Sequence, residues 1–292
     1  MLDRDHLASL QPPAVPLNRR MLVKASLSAG FCAAVAPVWA QVITTPADGL
    51  IAGEVKIPSG GVDVPGYRAM PDHGGPFPTV LVIHEIFGVH EHIKDVCRRW
   101  AKLGYYAIAP DLFARHGDAS KESDMGKLMS DIVGKTPDPE VSADLDATLA
   151  FAKASGSSDA ARAAVTGFCW GGRQAWLYAA HNLALKAGVA WYGPLVSNAS
   201  DLKVRQSPFI VARTRTLEVP VLGLYGGQDK GITMSDIEAM RQELAAAGGA
   251  SKIIVYPDTG HAFFADYRPS YNKADAETSW KQATDWLKAH GV

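Results

Sequence analysis

Apolar positions along this chain follow two alternating patterns. Short, nearly continuous apolar runs occur at Thr79–His84 (TVLVIH), Tyr105–Pro110 (YYAIAP), Arg162–Phe168 (RAAVTGF), Lys186–Gly193, Pro220–Gly227 and Lys252–Pro257. Their length and bounding turn residues predict buried strands. Between them lie stretches with apolar residues three and four positions apart. One is Ile93, Val96, Trp100 and Leu103; another is Val141, Leu145, Leu149 and Ala152. These spacings predict amphipathic helices, as do Gly171–His181, Met234–Ala247 and Ala276–His290. The fourth of these helices should stop at Gly248-Gly249. Strands apolar on both faces and alternating with helices predict an α/β fold: a mainly parallel sheet of about eight strands, with helices on both faces. The more polar opening, Glu54 to Met70, suits an antiparallel edge pair, and the polar stretch from Arg115 to Pro139 suits a rim or lid. One domain, 41–292, accounts for the whole pattern.

Residues 1–40 break it. Arg19-Arg20 and Lys24 precede a modest apolar run that ends in Val38-Trp39-Ala40. A charged leader, a short apolar centre and a small-residue exit describe an export signal. The paired arginines resemble a twin-arginine signal, read by a translocase that exports folded cargo. The expectation is cleavage near Ala40, a periplasmic or secreted product and no permanent membrane anchor, since the run is short of the roughly 20 residues that span a bilayer. Of the 292 residues 47% are hydrophobic and 20% charged, with a net charge of −1 and no long basic run, so nothing points to nucleic acid. Beyond the leader only Cys97 and Cys169 remain, too few for a disulfide scaffold. Cys97 falls in the helical pattern around Trp100 and reads as a small buried apolar side chain.

In such sheets ligands meet the loops at the carboxyl ends of strands. After Arg162–Phe168 comes Gly167-Phe168-Cys169-Trp170-Gly171. This is a G-x-S-x-G elbow with cysteine in place of serine, a sharp strand-to-helix turn that exposes its central side chain at a helix N-terminus. Alone, the pentapeptide is equally a packed cysteine. After the next two apolar runs to carry polar strand ends come Asp229 and then His261. Nucleophile, acid and histidine in that order, each at a strand end, is the chain order of α/β-hydrolases. His261 could take and return a proton, and Asp229 could fix its tautomer.

"GFCWGG", "YGGQD" and "TGHAF", with "VIHEIFGVHEHIKDV" and "PDLFAR", resemble the motifs of the dienelactone hydrolases (carboxymethylenebutenolidases) over essentially residues 50–290. The resemblance implies an α/β-hydrolase fold, no cofactor, and a small-molecule lactone or ester cleaved through a thioester on Cys169. It makes Asp229 and His261 the rest of the triad. Glu85 contacts the resting thiol, and the Ile86 and Trp170 N–H groups form the oxyanion hole. Arg115 would bind the substrate carboxylate. A free thiol has a pKa of about 8.5, so a glutamate freed by an anionic substrate could make the thiolate on demand. One departure stands out: the second arginine expected four residues after the histidine is Ala265, with Arg268 three residues further on. A broad-specificity thiol carboxylesterase or lactonase with the same triad therefore stays open.

Two other chemistries are weighed. His84, Glu85, His90, Glu91 and His92 cluster in sequence, but the zinc pattern H-E-x-x-H fails because Gly88 stands at its second histidine, so no metal is expected. A redox role for Cys169 lacks a C-x-x-C partner.

Overall fold

The computed structural model describes residues 43–196 and 216–292. The leader read as an export signal, with its cleavage site, lies outside them. Eight strands form one sheet in the order β1-β2-β4-β3-β5-β6-β7-β8. β1 (Leu50–Ser59) and β2 (Val62–Pro71) pair antiparallel at one edge, and β2 pairs antiparallel with β4 (Tyr106–Pro110). From β4 onward every pairing is parallel, through β3 (Phe77–Ile83), β5 (Ser158–Phe168), β6 (Ala187–Trp191), β7 (Val221–Gly226) and β8 (Lys252–Tyr256). This is the α/β-hydrolase fold. The edge hairpin turns on Gly60-Gly61, both at positive φ (53° and 82°), as a tight two-residue hairpin turn requires.

Among the described residues, five helices of twelve residues or more cover the sheet: α1 (Glu91–Lys102), α2 (Asp138–Ala154), α3 (Trp170–His181), α4 (Met234–Ala247) and α5 (Lys273–Ala289). Connections between parallel strands are right-handed. The chain steps from β3 to β4 in one direction and from β4 to β5 in the other, so α1 and α2 fall on opposite faces. On one face the Trp100 and Trp280 rings tie α1 to α5, with centroids 4.4 Å apart. On the other, Arg173 of α3 makes a two-pronged ion pair with Asp138 of α2 (2.7 and 3.0 Å). α4 starts at a capping box between Thr233 and Asp236 and ends at left-handed Gly248 (φ 70°), where the glycine pair predicted its stop. Such caps contribute about 1 kcal/mol each. Cys97 is buried in α1, and burial pushes its thiol far above the ordinary value.

Two elements differ from the sequence reading. β5 begins at Ser158, because Phe77 and Pro78 pair with Ser158 and Asp159 ahead of a register shift. The stretch 115–139 is a packed segment of short helical turns, in which Leu128, Ile132 and Val133 are buried. Among the described residues no helix is long and apolar enough to cross a membrane.

The reversal of winding direction brings the carboxyl ends of β3 and β5 side by side. Ligands bind at such a switch point. Glu85 follows β3 and Cys169 follows β5.

Candidate active site

Cys169 has φ 55° and ψ −119°, a conformation few non-glycine residues adopt. Its N–H donates to the Trp191 carbonyl (3.0 Å), and its carbonyl accepts from the N–H groups of Gly172 (2.8 Å) and Arg173 (3.2 Å). The flanking glycines make the turn possible. A Cβ on Gly167 would lie 2.0 Å from the Gly171 carbonyl oxygen, and one on Gly171 would lie 2.4 Å from that of His84. Elbow and β3 terminus thus touch backbone to backbone. Among the described residues, the non-glycine positions at positive φ are Cys169, Tyr192 and Ala262. Tyr192 packs edge-on against His261 (centroids 5.2 Å), and Ala262 follows it. Each such residue stores about 1–3 kcal/mol of strain, which characteristically gathers at functional sites.

His261 and Asp229 are buried together after β8 and β7. His261 Nδ1 lies 2.7 Å from Asp229 Oδ2. Asp229 Oδ1 accepts from the N–H groups of Gly231 (2.9 Å) and Ile232 (3.1 Å), which fixes the carboxylate's rotation. Burial disfavours the imidazolium, but the Asp229 carboxylate and the Cys169 side chain outweigh it and raise His261 from an ordinary 6.5 to about 10. The Cys169 side chain acts electrostatically on the same imidazole.

Glu85 is fully buried. Its Oε2 accepts from the Tyr267 hydroxyl and lies 3.6 Å from His90 Nε2, while Oε1 has no hydrogen-bond partner among the described residues. Burial opposes its ionisation, yet Arg268 and His90 hold the carboxyl well below the usual range. Arg268 Nε donates to the Tyr267 hydroxyl (3.1 Å), giving a chain Arg268–Tyr267–Glu85. The guanidinium also lies over the rings of Phe87 and Tyr267, 5.0 and 5.1 Å from their centroids. The charges of Glu85 and Cys169 both act on it.

The expectation that Arg115 holds a substrate carboxylate meets a guanidinium already engaged by protein groups. It donates to both carboxylate oxygens of Asp144 (2.6 and 3.3 Å) and to the Ser59 carbonyl (2.9 Å). It ties the β1–β2 hairpin to α2. Arg268 is buried and within the electrostatic reach of Cys169. The N–H groups of Ile86 and Trp170 flank the contact between elbow and β3, and neither has a protein acceptor among the described residues. Two tyrosines, Tyr192 and Tyr267, join the site without having been singled out in the sequence. Tyr267 sits beside Arg268 and could have been noticed with it; nothing in the local pattern marked Tyr192.

The histidine-rich segment has other employment. His92 Nδ1 lies 3.1 Å from Asp266 Oδ1, and Asp266 also takes Arg99. No group of three or more His, Cys, Asp or Glu able to hold a metal occurs among the described residues.

These features fit what the chain is similar to. The family model of the dienelactone hydrolase family matches residues 64–291. A Methylorubrum extorquens protein named "Putative carboxymethylenebutenolidase" is 56% identical over 277 residues, 94% of either chain. An Escherichia coli K12 protein of the same name is 50% identical over 263 residues, 90% of this chain and 96% of that one. A crystal structure titled "Putative Dienelactone Hydrolase", from Klebsiella pneumoniae, superposes with a TM-score of 0.78 at 49% identity, covering 82% of this chain and 98% of the other. Sheet order, elbow and matched span together place this chain in the dienelactone hydrolase family.

Proposed function

We propose that this protein hydrolyses a lactone or carboxylic ester by attack of Cys169, through a thioester acyl-enzyme. The observation that carries the reading is the strained Cys169 elbow set against a His261 imidazole that Asp229 orients and charges. The thiol proton passes to Glu85, since His261 already holds its own, and the thiolate attacks the carbonyl carbon to form a C–S bond. The Ile86 and Trp170 N–H groups donate to the oxyanion. Collapse breaks the C–O bond, and His261 protonates the departing oxygen. Water, deprotonated by His261, then attacks the thioester; the C–S bond breaks and the sulfur recovers its proton.

Arg268 supplies the substrate-responsive part. Its charge helps hold Glu85 ionised, and a carboxylate pairing with it would weaken that field. Glu85 would then accept the thiol proton more readily. The buried Arg268 guanidinium lies over aromatic rings, which suits a substrate bearing one carboxylate and still admits a neutral ester. The test is a pair of substrates, a carboxylate-bearing lactone and an uncharged p-nitrophenyl ester, run on wild type and Cys169→Ala. Loss of both activities supports the reading, and retention of either argues against it.

Residues 1–40 are proposed to direct export by the folded-protein route, on the strength of Arg19-Arg20 and the short apolar run. The mature N-terminus should read Gln41-Val42-Ile43. Unaltered export of an Arg19→Lys, Arg20→Lys variant would argue against a twin-arginine translocase.

A further inference from the structure

His84 is completely buried at the end of β3, yet the hydrolytic steps above give it no task. Both of its ring nitrogens are committed to backbone. Nε2 accepts from the Leu112 N–H (3.0 Å), and Nδ1 lies 2.6 Å from the Glu85 carbonyl oxygen. An imidazole nitrogen that accepts an N–H carries no proton of its own, so the ring proton is on Nδ1 and is donated to Glu85 O. Asp111 Oδ1, at 3.8 Å from Nε2, is beyond hydrogen-bond reach. Burial also favours this neutral ring, lowering its pKa against the pull of Asp111.

The Glu85 carbonyl belongs to the same peptide unit as the Ile86 N–H. The one cis peptide bond among the described residues is Gly75–Pro76, so the Glu85–Ile86 unit is trans. In a trans peptide C=O and N–H point in opposite directions within one plane. Holding the oxygen therefore aims the N–H. The ring face of His84 also lies against Trp170, nearly parallel (14°) with centroids 5.5 Å apart, and Phe113 closes on the ring at 4.8 Å. Trp170 carries the other candidate oxyanion donor.

We propose that His84 is a positioning residue for the oxyanion hole: it clamps the Glu85 carbonyl so that the Ile86 N–H, at the far side of that peptide, faces the reacting carbonyl oxygen. Donation to the carbonyl also polarises the peptide and strengthens the opposite N–H as a donor. The inference rests on Cys169 being the nucleophile, and its test separates the two.

Acylation and alkylation of one thiol differ in the required way. Acylation by p-nitrophenyl acetate builds an oxyanion. Alkylation by iodoacetamide displaces iodide at a saturated carbon, forming C–S and breaking C–I, and builds none. In His84→Asn the amide nitrogen reaches the place of Nδ1 and keeps the donor to Glu85 O. In His84→Gln the amide oxygen reaches the place of Nε2 and keeps only the acceptor for Leu112. Glutamine should slow acylation about ten- to a hundredfold while alkylation of Cys169, followed by mass spectrometry, stays within about twofold. Asparagine should keep acylation within about fivefold of wild type. Either variant suffices if the other does not fold. Equal loss of acylation and alkylation, wild-type acylation by the glutamine variant, or a collapse of acylation in the asparagine variant would each overturn the assignment. A wild-type enzyme that acylates without Cys169 being alkylated at all would instead overturn the nucleophile.

Discussion

Replacing Asp229 by asparagine should invert the tautomer of His261. The structure dictates how the amide must sit. Asp229 Oδ1 accepts two backbone N–H groups, from Gly231 and Ile232, so the asparagine oxygen has to stay there. Turning the amide over would set its NH2 against two donors. Its NH2 is therefore left facing His261 Nδ1, where Oδ2 accepts at 2.7 Å in the native chain. Nδ1 becomes the acceptor, the proton of the neutral ring sits on Nε2, and the nitrogen that should take the proton of the attacking water no longer can. Removal of the carboxylate also withdraws a main force that raises His261 to about 10. In a serine triad the equivalent change lowers kcat about 10⁴-fold. Here, where a thiol needs less help from its base, a fall of about 10³–10⁴-fold is expected, or about 4–5.5 kcal/mol of transition-state stabilisation. Steady-state hydrolysis of a p-nitrophenyl ester measures it, with near-ultraviolet circular dichroism to show that the fold persists. A folded Asp229→Asn enzyme within about tenfold of wild type would refute the reasoning.

Arg268→Met should depress kcat/KM for a carboxylate-bearing lactone about ten- to over a hundredfold more than for a neutral ester of similar size, and equal losses would remove Arg268 from substrate binding. Arg115→Ala should leave that selectivity unchanged but lower stability by about 1.5–3 kcal/mol in urea denaturation, because buried Asp144 loses its cation; a selective loss on the anionic substrate would reinstate Arg115 as the anchor. Gly171→Ala puts a methyl group 2.4 Å from the His84 carbonyl oxygen, where only backbone can yield, so both activity and at least about 1–3 kcal/mol of stability should be lost; a variant with wild-type rate and denaturation midpoint would contradict the contact. His261 keeps its proton in the folded chain up to about pH 10 against an ordinary 6.5, so its contribution to stability is full below about pH 6.5 and disappears as pH rises through about 10. Denaturation midpoints across that window should fall less steeply in His261→Gln than in wild type, and identical slopes would show that the proton is not held.

Strand-end chemistry was the legible part. Cys169, Asp229 and His261 follow apolar runs whose ends a parallel sheet must gather, so sequence order alone anticipates their meeting. The arginines show the limit of such reading. Arg115 and Arg268 look interchangeable as cations near motif residues. What separates them is Asp144, 29 residues from Arg115 and brought beneath the hairpin by the packing of α2, which takes the Arg115 guanidinium. Tyr192 was hidden because its place rests on a positive φ just beyond β6, which no apolar pattern announces. In the stretch 115–139 polar composition masked an anchored segment. Leu128, Ile132 and Val133 suffice to bury one side of it, a spacing diluted by the charged residues between. The first residues of β5 escape the apolar pattern for a related reason, since Ser158 and Asp159 pair through backbone with Phe77 and Pro78 and need no apolar side chains.

The claim on which all the rest depends is a covalent bond between substrate carbonyl and the Cys169 sulfur. Intact-protein and peptide mass spectrometry of enzyme quenched in acid during turnover of a slow ester tests it most directly. One acyl group per chain is expected, on the peptide that contains Cys169, absent from Cys169→Ala and accumulating when deacylation is slowed in His261→Gln. An active enzyme whose acyl group sits on another residue, or whose Cys169→Ala variant turns over at the wild-type rate, would contradict it.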